Sequence, residues 1–178
     1  DLIEYDYDAD NRVTVIRIKR ENGTLYRRGF LTYDTHNRLQ ELEWEVALTG
    51  GAFAQEQTMT FTYDANSNLS ELRDHRHAID GIQPEAVYID TYEQYDRGVN
   101  VDDFSLLHLN DRHVVLLPGL RLQMNNPGKV TRTGDGINYY IFYTYQYNSK
   151  NHPTRRDGDM RLANGQQSHL VATYSYYE

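Results

Sequence analysis

The sequence contains no cysteine and no long apolar run. Without cysteine the chain cannot form a disulfide, a zinc–thiolate site or a thiol nucleophile. No stretch approaches the roughly 18 consecutive apolar residues of a membrane-spanning helix. There is also no Gly-x-Ser-x-Gly elbow for nucleophilic catalysis and no glycine-rich loop for phosphate. We therefore predict a protein that is not an enzyme, uses no cofactor and does not span a membrane.

Basic residues are outnumbered, because 18 Lys and Arg face 26 Asp and Glu, for a formal net charge of −8. A chain of this charge repels a phosphate backbone, so we expect no nucleic-acid partner. The chain begins Asp1-Leu2-Ile3-Glu4, without an initiator methionine or a basic and apolar leader. We take it as the mature part of a processed protein.

Tyrosine is abundant, with 16 Tyr against 5 Phe and 1 Trp, and it recurs in a seven-residue unit. Tyr-Asp begins every copy except the last, which begins Tyr-Asn, and Asn or Ser stands four positions after the Tyr in all copies except the one at Tyr95. An Asp at the start of a type I turn caps its own backbone, and Asn tolerates the left-handed conformation that closes a three-residue hairpin loop. This register places Tyr33 opposite Leu39 and Tyr63 opposite Leu69. The copies are Tyr7–Val13, Tyr33–Leu39 and Tyr63–Leu69, with looser ones at Tyr95–Gly98 and Tyr147–Asn151.

Alternating polar and apolar residues flank these turns and predict β-strands, most clearly at 137–147. Aromatic residues on both faces of that strand indicate a central strand that is covered, at least in part, on both sides. After three of the turns the alternation changes phase, for example from Val13 to Ile16, which predicts a recurrent β-bulge that curls the sheet. We predict one all-β domain over residues 1–178. It is an antiparallel up-and-down meander of about 10–12 strands, eleven by our count, curled into a barrel or half-open barrel. An odd number of strands closes only with a parallel seam.

The segment 98–123 departs from this pattern. Asn100 followed by acidic residues predicts the start of a short helix near 100–109. Pro118-Gly119 then interrupts the segment. We interpret it as a crossover or plug that covers apolar surface, with strands resuming near Lys129.

The Tyr-Asp units, the run Asn125–Val130, and Tyr143–Asn148 followed by His152-Pro153-Thr154 resemble exported lipoproteins of Bacteroidetes bacteria. They are similar to a domain family of unknown function described as having a porin-like fold. The likeness extends from about Tyr5 to Tyr177. Proteins with YD repeats use a related turn, but the copies here are too few and too irregularly spaced. The resemblance implies a barrel in the cell envelope and carries over no functional residues.

Three aromatic residues are the candidate binding residues: Trp44, Tyr140 and Phe142. Together with the tyrosines around 139–147 they could form a stacking platform for sugars or the wall of an apolar pocket. The same residues could equally serve core and cross-strand packing, the commoner use of aromatic residues in strands.

The charged candidates are weaker. His75 and His77 point to one side of a predicted strand and would bind a metal if Asp74 or Asp80 supplied a third ligand; surface histidines are the simpler interpretation. Asp6, Asp8 and Asp10 imitate the start of a calcium loop, but the later loop positions hold Asn11 and Arg17, and a turn explains them. Glu41, Glu43 and Glu45 could act as paired carboxylates, or could form a solvated face. We predict no catalytic residue and no metal.

These observations favour a non-catalytic binding module of the cell envelope for a glycan, lipid or peptide, with a concave aromatic pocket of roughly 300 to 1,000 Å³. The alternative is a structural or protein-interaction component with a filled interior and an exposed apolar patch or strand edge. In either case we expect an exported protein of the periplasm or cell surface, a lipoprotein anchored through a removed N-terminus.

Overall fold

The computed structural model describes residues 1–101, 117 and 120–176. These residues form eleven β-strands that hydrogen-bond in chain order, and the strand pairs are antiparallel. The all-β meander and its strand number are therefore confirmed. The strands are Leu2–Tyr7 (β1), Val13–Lys19 (β2), Leu25–Tyr33 (β3), Leu39–Ala47 (β4), Phe53–Tyr63 (β5), Leu69–Arg76 (β6), Ala86–Glu93 (β7), Lys129–Gly134 (β8), Tyr139–Tyr147 (β9), Pro153–Leu162 (β10) and Gln167–Thr173 (β11).

The sheet does not close into a barrel. Within the described residues β1 pairs only with β2 and β11 only with β10, so these two strands are the ends of the sheet. In a meander of eleven strands the first and last run in the same direction, and closure would need the less stable parallel pairing. Of the two predicted forms, a barrel or a half-open barrel, the described strands do not form the closed one.

The helix expected near 100–109 is not confirmed. Residues 102–116 lie outside the described residues, and Asn100 and Val101, which precede them, are not helical. Among the residues that the structure does describe there is no helix, and hence none that could cross a membrane. Strands resume at Lys129, as predicted.

The copies at Tyr7, Tyr33, Tyr63 and Tyr147 form the predicted turns, whereas the copy at Tyr95–Gly98 does not, because β7 ends at Glu93 and residues 94–101 form no strand. In the second copy the amide of Asn37 donates to the carbonyl of Asp34, and the Asp34 carboxylate accepts from the amides of His36 and Arg38. Asn37 is left-handed, with φ of 62°. Tyr33 is paired with Leu39, as the register predicted. The same pattern recurs with left-handed residues at Asn11, Ser67 and Asn151.

A bulge follows the turns before Val13 and Leu39, as the change of phase predicted, and a further one follows the turn before Pro153. Tyr33 pairs with Leu39 while Thr32 pairs with Glu41, so Gln40 is an extra residue on β4. Thr14 and Thr154 are the extra residues on β2 and β10 for the same reason. Because each bulge adds one residue to its strand, the buried side chains after the bulge occupy positions shifted by one from those before it.

The chain divides into two compact units. Unit 1 comprises the described residues of 1–61, 73–87 and 104–122, and unit 2 those of 62–72, 88–103 and 123–178. The core of unit 1 includes the buried side chains of Ile16, Ile18, Leu42, Trp44 and Met59. The core of unit 2 includes those of Leu69, Leu72, Val130 and Ile141. A single domain over 1–178 stays a prediction.

Candidate functional site

An aromatic pair, Tyr140 and Phe142, lies on β9 in unit 2. Residues two apart on a strand share a face, and their rings meet edge to face with centroids 5.5 Å apart. Phe142 is 45% exposed, and Tyr140 is half-buried. The strand is central, between β8 and β10, as predicted. Its even face, however, is open at Phe142 rather than covered, so only the odd face is packed.

Charged side chains border the aromatic pair on both neighbouring strands. Lys129 on β8 and Asp159 on β10 are directly opposite Phe142, and Arg161 on β10 is opposite Tyr140. Cross-strand partners project from the same face of the sheet. The aromatic pair is therefore surrounded by hydrogen-bonding groups of both signs.

Two of these bordering charges are held in place by ion pairs. The Lys129 Nζ lies 2.7 Å from Glu93 Oε2. Asp159 accepts a hydrogen bond from His169 on β11, with 2.9 Å between Oδ1 and Nδ1. This contact with Asp159, with a smaller contribution from Asp157, raises the pKa of His169 above its ordinary value.

Two buried polar atoms beside Tyr140 have no hydrogen-bond partner among the described residues. They are the Oγ1 of Thr131, directly across the sheet from Tyr140, and the Oδ1 of Asn138, two residues before it. Burying a polar atom without a partner costs about 1–3 kcal/mol. Sites that leave such atoms unsatisfied are candidates for an external partner.

The opposite face of β9 anchors the aromatic pair to the core of unit 2. The ring of Tyr143 covers Gly158 on β10, where an added Cβ would lie 2.7 Å from the ring. On β8 Arg132 forms a two-point ion pair with the buried Asp90, with an Nε–Oδ1 distance of 2.7 Å. Burial raises the pKa of Tyr145 on this face. A packed rear face fixes the backbone that carries Tyr140 and Phe142.

Trp44, the third predicted binding residue, is a core residue of unit 1. It is fully buried on β4, and the Arg27 guanidinium lies 4.5 Å from the ring centroid. The ring also packs on Gly29, its cross-strand partner, where an added Cβ would lie 2.9 Å from the ring. In this arrangement Trp44 offers no ring face to a ligand.

His75 on β6 and His77, one residue past the end of that strand, have ring centroids 4.2 Å apart. His75 Nε2 lies 3.0 Å from Glu85 Oε1, and His77 Nε2 lies 2.8 Å from Thr58 Oγ1. Burial, and then the neighbouring His75, lower the pKa of His77. Asp74 accepts a hydrogen bond from Gln57. In the described part of the chain no three His, Asp or Glu side chains are grouped as metal ligands.

The acidic candidates form hydrogen bonds within turns and ion pairs between neighbouring strands. Asp6 binds Arg17 through two hydrogen bonds, and Asp8 caps its turn and binds Arg12. The Arg12 hydrogen bond holds the pKa of Asp8 below its ordinary value. On β4, Glu45 contacts Arg28, and the partly exposed face of Glu41, Glu43 and Glu45 lies opposite buried Leu42 and Trp44.

Two surface depressions are shallow and open. One is lined by the loop of residues 78–84, in which Gln83 donates to the carbonyls of Glu56 and His77. The other lies at the β2–β3 turn, where the hydroxyl of Tyr26 donates to Asp1. Neither includes a predicted binding residue. The aromatic pair is thus a surface feature rather than the wall of one of these depressions.

Comparison with known proteins agrees with the architecture. The fold of this chain is similar to that of a porin-like protein of known structure. One such structure, a crystal structure of a porin-like protein from Bacteroides uniformis, matches with a TM-score of 0.63 and 16% sequence identity over 94% of this chain. The chain spans 65% of the length of that protein. At this identity the likeness concerns the fold alone, and it supports the porin-like fold implied by the resemblance. No protein-family model and no curated protein sequence matches the chain.

Sequence reasoning missed Thr131 and Asn138. Neither belongs to a motif, and only the register of β8 against β9 brings Thr131 across from Tyr140. Alternation along 129–134 could have placed Thr131 on the face of Lys129. It could not have shown that the hydroxyl is buried without a partner.

Proposed function

We propose that this chain is a non-catalytic binding module of the bacterial cell envelope, and that it holds a glycan on Tyr140 and Phe142. The observation that carries the proposal is the edge-to-face pair of exposed Phe142 and half-buried Tyr140 on a central strand, bordered by charged and amide groups. Exposed aromatic rings stack on the C–H faces of sugars, and bordering polar groups bind the hydroxyls.

The groups around the aromatic pair favour a glycan over a lipid or an apolar peptide. Lys129, Asp159 and Arg161 interrupt the apolar surface on both sides, whereas a lipid needs a continuous apolar area. Carboxylate, ammonium and guanidinium groups bind neutral hydroxyls well. The buried Oγ1 of Thr131 and Oδ1 of Asn138 add two groups that a hydroxyl-rich ligand would satisfy if the Tyr140 ring shifted.

An envelope location is part of the proposal. The support is the similarity to a porin-like protein from Bacteroides, together with the resemblance to exported lipoproteins. We propose that the protein is exported to the periplasm or cell surface and anchored by a lipid at a processed N-terminus. Metabolic labelling of the full-length precursor in a Bacteroides host with an alkyne fatty acid tests the anchor, and an unlabelled, non-sedimenting product would contradict it.

Binding to a panel of oligosaccharides tests the glycan. Calorimetric titration with oligomers of glucose, mannose, xylose and N-acetylglucosamine should give binding to at least one of them. Phe142→Ala should weaken that binding by about tenfold or more, the usual cost of truncating a central aromatic contact. Tyr7→Ala is the matched control, because Tyr7 on β1 is 49% exposed. Equal losses in both variants, or binding to no oligomer, would contradict the proposal.

The second candidate is a structural or protein-interaction component of the envelope. A specific observation favours it: β11 at the end of the sheet exposes Leu170 and Val171. Exposed aliphatic residues on an unprotected edge are typical of a surface that another strand covers. The two functions are compatible, since the aromatic pair and the edge use different residues.

A further inference from the structure

Among the described residues, β11 is an edge strand that lacks the usual protection. Its seven residues, Gln167–Thr173, contain no Asp, Glu, Lys or Arg, and six of the seven are exposed. Its pairing with β10 runs through seven consecutive residue pairs without a bulge. Alternate backbone N–H and C=O groups of such a strand point away from the neighbouring strand. In the described part of the chain no strand lies on that side.

The other edge strand, β1, has features that prevent an edge strand from pairing with another chain. It carries Glu4 and Asp6, which bind Lys19 and Arg17, and its register shifts between Asp6 and Tyr7. Charges and bulges are the usual devices that prevent edge-to-edge pairing. Because β1 has both devices and β11 has neither, β11 is the edge suited to receive a strand.

We propose that β11 pairs antiparallel with β11 of a second copy of this chain, about a twofold axis at Leu170. Antiparallel self-pairing about Leu170 places Gln167 opposite Thr173 of the second copy, and His169 opposite Val171. No like charges meet in this register, and aliphatic residues occupy its centre. A self-complementary patch of this kind is what a twofold dimer requires, and strand addition continues the sheet from one copy into the next.

Lysine at the twofold axis should break the dimer. In sedimentation velocity of the whole chain over a concentration series, wild type should sediment as a dimer. Leu170→Lys brings two ammonium groups directly across from each other, and like charges in that position are destabilising. We expect its dimerisation constant to fall at least tenfold. The matched control is Leu2→Lys on β1, which is also an exposed leucine on an edge strand, at 55% against 40% for Leu170. This control should remain dimeric.

A single introduced cysteine tests the register, because the chain has none of its own. Leu170→Cys places two thiols opposite each other, within the Cβ separation that a disulfide requires. Mild oxidation should cross-link this variant much faster than Gln167→Cys, whose residue faces Thr173 of the second copy. This measurement decides the matter even if Leu170→Lys folds poorly, as judged by far-UV circular dichroism.

Three results would overturn the proposal. The first is a wild-type chain that is monomeric across the concentration series, in which case a different strand covers β11. The second is a dimer that Leu170→Lys leaves intact or that Leu2→Lys disrupts equally. The third is cross-linking at position 167 as fast as at position 170.

Discussion

Replacing Arg27 with methionine should strongly destabilise unit 1, because it removes one half of a buried ion pair. Arg27 on β3 and Glu56 on β5 are joined by a 2.6 Å contact between Nε and Oε2, and their side chains are only 2% and 4% exposed. The guanidinium also lies 4.5 Å from the Trp44 ring centroid. Methionine fills much of the same volume, so the main loss is the charge that compensates the Glu56 carboxylate.

The size of the loss follows from the burial. Removing one partner of a buried pair costs about 3–5 kcal/mol, whereas removing both charges together is often neutral. We therefore expect Arg27→Met to lower the free energy of unfolding by about 4 kcal/mol. With a urea dependence of about 2 kcal/mol per molar, the unfolding midpoint should fall by about 2 M. Trp44 is the single tryptophan and contacts Arg27, so its fluorescence reports this transition directly.

The double variant Arg27→Met/Glu56→Leu and a surface control complete the cycle. The double variant should recover most of the lost stability, which gives a coupling energy of about 3 kcal/mol or more. Arg17→Met breaks the partly exposed pair with Asp6 and should cost less than about 1 kcal/mol. Two results would contradict the predicted coupling between Arg27 and Glu56. One is a double variant whose loss in unfolding free energy equals the sum of the two single losses, and the other is an Arg27→Met loss no larger than that of Arg17→Met.

Three further substitutions test the packing, the turns and the pH dependence. Gly158→Ala places a Cβ 2.7 Å from the Tyr143 ring and should cost about 1–3 kcal/mol of unfolding free energy in chemical denaturation; unchanged stability would contradict that packing. Ser67→Gly relieves a left-handed φ of 62° and should add up to about 1 kcal/mol in the same assay, so a loss would be the contrary result. The Arg12 hydrogen bond lowers the pKa of Asp8 in the folded protein. The stabilisation by the ionised Asp8 carboxylate is therefore complete above about pH 4 and is lost as the pH falls through the lowered pKa of Asp8. Asp8→Asn should keep the turn, since Asn148 caps the fifth copy, at Tyr147–Asn151, identically, and should flatten the fall in melting temperature below about pH 4; an unchanged acid profile would argue against it.

The turns could be predicted from sequence because their chemistry is local. Asp34 caps amides two and four residues ahead of it, so every partner lies within the seven-residue unit. The bulge at Gln40 was predictable for a similar reason, since the buried face shifts within a few residues. In the third copy, however, Asn68 is buried and its Oδ1 accepts from the amides of Met124 and Asn125, contacts that no local pattern indicates.

The aromatic candidates show where prediction from sequence stops. Trp44 and Phe142 both occupy alternating positions in strands, yet one is fully buried and the other is 45% exposed. The difference depends on cross-strand partners: Trp44 fits over Gly29, whereas Phe142 is flanked by Lys129 and Asp159. Strand register decides which face is packed, and closure of the sheet depends on contacts between strands far apart in sequence. The alternation of polar and apolar residues therefore predicts neither which face of a strand is packed nor whether the sheet closes.

The most direct test of the central claim is a chemical-shift titration of the isotope-labelled whole chain with the oligosaccharide that binds best in calorimetry. We expect the perturbed amides and side chains to cluster on β8, β9 and β10 around Thr131, Tyr140 and Phe142, and Phe142→Ala to require about tenfold more oligosaccharide for the same perturbations. Perturbations confined to other strands, or a spectrum that no oligosaccharide changes, would contradict it.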